Sequence, residues 1–190
     1  MRHFDVETLP TGPWHNGGGA TREITSRPAD GQQFGWRASI ADIDRDGPFS
    51  VFPGIDRTLT LLAGDGVRLT SPGKFERLPV RTGEPFTFSG DLAITAELPS
   101  GSCQVLNIMV RRGRWAARVS RVAGPVAPPS AHAGVFHVLR GRWQADHDGH
   151  VLAPGQGLWW DQSDNTPGRG VTPLSPDATA LWADLTPALG

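Results

Sequence analysis

This chain has one cysteine, one lysine, no His-x-His or Cys-His ligand motif and no segment of helical period. A single cysteine, Cys103, excludes an internal disulfide and reads as a small core residue. Lysine occurs once, at Lys74, and 18 Lys and Arg nearly balance 19 Asp and Glu. No basic patch with interleaved aromatics follows from that balance, so nucleic acid is not an expected partner. No charged-then-apolar leader opens the sequence, and no apolar run approaches the ~18 residues of a membrane helix. A soluble, cytoplasmic protein without a membrane partner is therefore expected. There is no His-x-His and no Cys-His cluster. His132 and His137 are five apart, and His147 and His150 flank an Asp-rich turn that reads as a solvated loop. Ser39, Ser50 and Cys103 lack the context that marks an activated nucleophile. No metal or other cofactor is expected.

Turns and strands fill the chain instead. Its 24 glycines and 17 prolines make up a little over a fifth of the residues, spread between apolar runs rather than gathered in blocks. Ala20–Thr25 alternates, with Thr21 and Glu23 on one face and Arg22 and Ile24 on the other. Gly35–Ile43 sets Trp36, Ala38 and Ile40 against Arg37 and Ser39, and Cys103–Arg111 sets Leu106, Ile108 and Val110 against Asn107, Met109 and Arg111. Further strands are expected at Phe49–Phe52, Ile55–Leu62, Val67–Leu69, Phe86–Phe88, Leu92–Ala96, Val135–Leu139, Trp143–Ala145, Leu158–Trp160 and Ala178–Leu185. Gly64-Asp65-Gly66 and Arg140-Gly141-Arg142 read as hairpin turns. No segment has a helical period, so the fold class is all-β. The Pro-rich stretch Gly124–Ser130 reads as a linker between residues 1–123 and residues 124–190.

Gly47 and Gly66 stand nineteen positions apart, the spacing of the first motif of the cupin β-barrels. That motif resembles this stretch in its frame only. The histidine positions hold Pro53 and Ile55, and the glutamate position holds Leu59 or Thr60. None of these side chains is a metal ligand of the cupin type. The wider sequence resembles the HutD/Ves family. The residues that carry the resemblance are Pro13 to Gly19 with Thr21 to Ile24, Trp36 to Ala41, Asp46 to Ser50, and Phe52 to Arg57 with Gly64-Asp65-Gly66. Leu106 to Met109 with Arg111-Arg112-Gly113 completes the set. The resemblance implies two fused cupin-type β-barrels, a bicupin, that moderates histidine utilisation by binding an intermediate such as formylglutamate or urocanate. The family usually has lysine where this chain has His15, and an acidic residue is expected where it has Val105.

Arg57 is the leading candidate for binding such an anion. Alternation places it inward between Ile55 and Leu59, and a buried guanidinium needs a carboxylate. That carboxylate is either a ligand's or one of the chain's own, with Glu23 and Asp56 nearest in the pattern. Asn16, Thr21 and Ser39 offer neutral donors, and His15 and Asn107 would complete a clamp. The expected partner is thus a small anionic metabolite, with a homodimer left open. Binding without turnover is the preferred reading. A metal-independent isomerase or hydrolase acting on a small carboxylic acid is the alternative, and a protein-interaction module with an empty barrel is a third.

Overall fold

The computed structural model describes residues 1–14, 17–28, 34–77, 81–164 and 169–188. β1 (Arg2–Asp5) opens the chain. Next come β2 (Thr11–Pro13), β3 (Gly19–Arg27), β4 (Trp36–Ile43), β5 (Gly47–Pro48), β6 (Ile55–Ala63), β7 (Arg68–Ser71), β8 (Phe75–Arg77), β9 (Pro85–Ser89), β10 (Thr95–Glu97) and β11 (Cys103–Arg111). After them run β12 (Trp115–Val122), β13 (Ala133–Arg140), β14 (Trp143–Ala145), β15 (Val151–Leu152), β16 (Gln156–Trp160), β17 (Val171–Pro173) and β18 (Thr179–Pro187). No helix occurs among the described residues, so none is long and apolar enough to cross a membrane.

Contacts divide the chain into two units, Pro10–Arg114 and Met1–Leu9 with Trp115–Gly190. In the first, a six-stranded antiparallel sheet runs β2-β3-β4-β11-β6-β9 and a four-stranded one runs β5-β10-β7-β8. An apolar cluster draws on both, with Ile43, Leu59, Leu61, Phe88 and Val105 from the larger sheet and Leu69 and Ala96 from the smaller. At the centre of the larger sheet both faces are buried, which is why β11 reads as a nearly continuous apolar run. The second unit repeats the plan with a five-stranded sheet, β1-β16-β13-β18-β12, and a three-stranded one, β15-β14-β17. Phe136, Leu158 and Trp160 meet Trp143, Leu152 and Val171 between them.

The pairing differs from the sequence expectation in an informative way. Gly64-Asp65-Gly66 is expected to fold β7 back on β6, yet β6 pairs with β11 and β9, while β7 pairs with β10 and β8. The turn carries the chain from one sheet to the other. Gly64 makes this possible at φ 92°, where a Cβ would stand 2.6 Å from the Ser102 carbonyl oxygen. Gly141, at φ 72°, does the same between β13 and β14. With the ladder interrupted at both turns, no sheet among the described residues closes on itself. Each unit is a pair of sheets across an apolar core, where the family resemblance implies two fused cupin-type β-barrels.

Two other expectations change. Phe49–Phe52 is a strap without regular strand structure, bracketed by Pro48 and Pro53 and tied by Phe49 N to Ile94 O and Phe52 N to Gly90 O, both 2.8 Å. The contacts also divide the chain elsewhere than at Gly124–Ser130. β12 pairs with β18 along its whole length and β1 pairs with β16, so both strands join the second unit. Val126, inside the Pro-rich stretch, bridges Val171 of that same unit.

Candidate functional site

One face of the six-stranded sheet forms the floor of a cavity of about 760 Å³. Period-2 alternation selects which side chains point into it, and the ladder registers set them in rows. Arg37, Met109, Arg57 and Phe88 are successive partners across β4, β11, β6 and β9. Glu23, Ser39, Asn107 and Leu59 form the neighbouring row, beginning one strand earlier on β3. Walls come from Pro10–Trp14 and from the strap that carries Phe49, Ser50 and Phe52.

Arg57 lies in this floor at 7 % exposure. Its guanidinium carbon sits 5.3 Å from the ring centres of Phe49 and Phe52 and 5.2 Å from that of Phe88. Among the described residues its one hydrogen bond runs from Nη1 to the Ser50 carbonyl at 3.3 Å, and Nε is buried without a partner. Burial first, and the charge of Arg37 second, push its pKa down from the ordinary guanidinium value to about 10. The group remains cationic at neutral pH, ringed by aromatic faces and with no carboxylate paired to it among the described residues.

The acids that could have neutralised it are engaged elsewhere. Glu23 Oε2 lies 2.8 Å from Arg37 Nε, close as charges although Arg37 Nε makes no well-aligned hydrogen bond. Glu23 is half exposed, so water screens that pair. Asp56 points to the opposite face and accepts from Arg112 Nε and Nη2 at 2.9 and 2.7 Å. Arg112 also donates to Asp91 and to the Ser89 hydroxyl oxygen. Asp91 in turn accepts from Gly54 N at 2.8 Å, and that bond, with Arg112 and Ser89, holds its carboxyl down to about 2. This network pins the Pro53-Gly54 corner from which both the strap and β6 depart.

Of the residues singled out from sequence, Arg57, Thr21, Ser39 and Asn107 line the cavity together. His15 and Asn16 lie outside the described residues. Thr21 Oγ1 accepts from Trp14 Nε1 at 2.7 Å, and the Trp14 ring stands edge-on to Phe49. Ser39 and Asn107 are buried, and Asn107 Oδ1 has no hydrogen-bond partner among the described residues. Arg111, the last residue of β11, donates to the Phe34 carbonyl and is not part of the lining. Sequence reading misses Met109 and the aromatic collar as members of the site, although Phe49 and Phe52 are conspicuous either side of Ser50-Val51. Cys103 belongs to the core, where burial and then Asp44 and Asp42 push its thiol up to about 11, far from a thiolate at neutral pH.

The sequence model of the HutD family matches residues 6–175. Protein Ves of Cronobacter sakazakii is 37% identical over 187 residues, spanning 98% of this chain and 99% of that protein. The structure of HutD from Pseudomonas fluorescens, in a formate condition, superposes with a TM-score of 0.81 at 29% identity, covering 99% of each chain. A cupin 2 conserved barrel domain protein from Leptotrichia buccalis superposes at a TM-score of 0.59 with 10% identity, over 98% of this chain and 96% of that one. That last likeness is one of fold.

Proposed function

The chain belongs to the HutD family, and on that premise we propose that its Pro10–Arg114 unit is a receptor for a small anionic metabolite of histidine utilisation, with formylglutamate or urocanate as candidate ligands. On the same reading the two units are a pair of cupin-type modules, and binding rather than turnover moderates the pathway. The observation that carries this is Arg57. A buried cation without a carboxylate is costly, and a ligand carboxylate entering the cavity would offset that cost through a charge-assisted hydrogen bond. Arg37 and Glu23 cancel at the edge of the floor, which leaves Arg57 as the uncompensated charge. In the next row Asn107 and Ser39 offer neutral groups to a second polar end of the ligand. The Phe49, Phe52 and Phe88 rings exclude water around the guanidinium and strengthen the contact.

Calorimetric titration with N-formylglutamate and urocanate, each beside its neutral amide, tests this reading. Saturable heat from an acid and none from its amide is the expected result. Equal binding of acid and amide, or no binding of either acid, would remove Arg57 as the anion anchor.

A further inference from the structure

A second constellation lies in the other unit. Pairing of β1 with β16 sets His3 opposite Leu158, and the turn Asp146–His150 hangs between β14 and β15. That turn is closed by Gly149 N donating to Ala145 O at 2.8 Å and His150 N donating to Asp148 Oδ1 at 2.9 Å. Two segments remote in sequence therefore converge. His3 Nε2 stands 2.7 Å from Asp148 Oδ2, and His147 Nε2 stands 3.3 Å from the same oxygen. One donor atom from each of His3, His147 and Asp148 falls within 4.8 Å of the other two, and the rings of His3 and His147 stack at 5.8 Å.

We propose that His3, His147 and Asp148 bind a divalent transition-metal ion of the zinc, nickel or copper type. The argument is one of geometry and ligand chemistry. Nitrogen and oxygen ligands held ~2.1 Å from a common ion stand ~3.4 Å apart at a tetrahedral angle and ~3.0 Å apart at a right angle. Of the two separations to Asp148, 3.3 Å lies inside that range and 2.7 Å just below it, so those two contacts need open only slightly to admit an ion. Two imidazoles with one carboxylate suit borderline ions rather than calcium or magnesium, which select all-oxygen sets. Three protein ligands leave coordination positions for water or a small molecule. His3 and Asp148 are about one-third exposed, so an ion has a path in, while the less exposed His147 backs the site. His150 meets the His3 ring edge-on at 4.4 Å and adds a third imidazole beside the cluster.

The site is separate from the cupin frame, whose ligand positions hold Pro53, Ile55 and Leu59 or Thr60. It also sits outside the Arg57 cavity, so the two readings stand or fall independently. The test uses the full chain without an affinity tag, stripped by chelator and titrated with zinc chloride and nickel chloride by calorimetry, with melting temperature as a second readout. One equivalent bound, with a metal-dependent rise in melting temperature, is expected. His3→Gln, His147→Ala and Asp148→Asn should each weaken binding by about tenfold or more while leaving the metal-free melting temperature near that of the parent. His132→Ala, at a histidine paired with Asp184, should bind as the parent does. Absence of binding in the parent, or binding unchanged in the His3→Gln and Asp148→Asn variants, would overturn the proposal.

Discussion

Replacing Arg57 with methionine keeps an unbranched apolar stem and removes only the guanidinium, and the structure fixes the sign of both consequences. The pKa of Arg57 falls from the ordinary guanidinium value to about 10, mainly through burial. At about 1.36 kcal/mol for each tenfold change in acidity, this corresponds to a cost of ~3 kcal/mol for holding the cation in the folded chain. Both folded and unfolded forms are protonated at neutral pH, so that cost is present in full there. It would be relieved only above about pH 10. The three aromatic rings return part of it, ~1–2 kcal/mol in all for partly desolvated cation–π contacts. Arg57→Met should therefore stabilise the ligand-free protein by ~1–2 kcal/mol, which for a chain of this size is a rise in melting temperature of about 2–8 °C.

Affinity should move the other way. A hydrogen bond to a charged group contributes ~1.5–3 kcal/mol, so carboxylate binding should weaken by roughly ten- to more than a hundredfold. Differential scanning calorimetry on the free variant and titration of its ligand measure the two quantities on one sample. Arg57→Lys serves as control, restoring part of the affinity through a point charge without the planar fork. A melting temperature that falls by several degrees in Arg57→Met would refute the reasoning, because it would mean that the cation is held by a structural acid. Unchanged affinity in the same variant would refute it from the other side.

Three further outcomes follow from single buried groups. Asn107→Leu removes the unpartnered Oδ1 at nearly constant shape, so stability should hold or rise by up to ~1 kcal/mol while carboxylate affinity drops; a strong destabilisation would show that the amide is already satisfied. His137, 4 % exposed and stacked on Phe4, has its pKa pushed from 6.5 to about 4 by burial. Its neutral form is native, so stability is full above pH 6.5 and falls by up to ~3 kcal/mol as pH drops to about 4; chemical denaturation at several pH values should show this limb flattened in His137→Leu, and an unaltered limb would assign it to other groups. Gly134→Ala would set a Cβ 2.7 Å from the Ala183 carbonyl oxygen and into the Trp160 ring, costing ~1–3 kcal/mol in urea unfolding, whereas an unaffected midpoint would mean the β13–β18 ladder yields freely.

How much of this was legible in the sequence depends on whether a feature is local. The faces of the strands were, because the side-chain period of a strand is fixed at two. Thr21 with Glu23, Arg37 with Ser39, and Asn107 with Met109 fall on one face by counting, and the cavity floor is built from that face. Register was not, since nothing within β4, β11 or β6 states that Ser39, Asn107 and Leu59 share a row. The Gly64 and Gly141 turns were misread for a related reason. A glycine with positive φ serves a hairpin and a sheet-to-sheet crossing equally well, and only the partners of the next strand separate the two. The Phe49–Phe52 strap is aromatic and β-branched enough to read as a strand, but prolines at both ends and isolated anchors to Ile94 and Gly90 keep it out of any ladder.

The role of Arg57 shows where the limit lies. Its inward direction follows from alternation, but its freedom from a structural acid follows only from knowing where each nearby acid goes. Asp56 is adjacent in sequence, yet the same alternation turns it to the opposite face, where Arg112, 56 positions onward, takes it. Glu23 shares the face and, opposite Ser39, meets Arg37 as a diagonal neighbour across the β3–β4 ladder, a pairing that only the register reveals. The metal cluster is the same case. His147 and Asp148 alone are an ordinary turn, and His3 alone is an exposed strand residue. Their meaning as a donor set arises from the pairing of β1 with β16 and from a side-chain contact spanning 145 positions. A charged or ligating residue is thus assigned a function by the partners it lacks or gains across the fold. Periodicity can nominate Arg57, but only the ladder shows that no carboxylate among the described residues pairs with it.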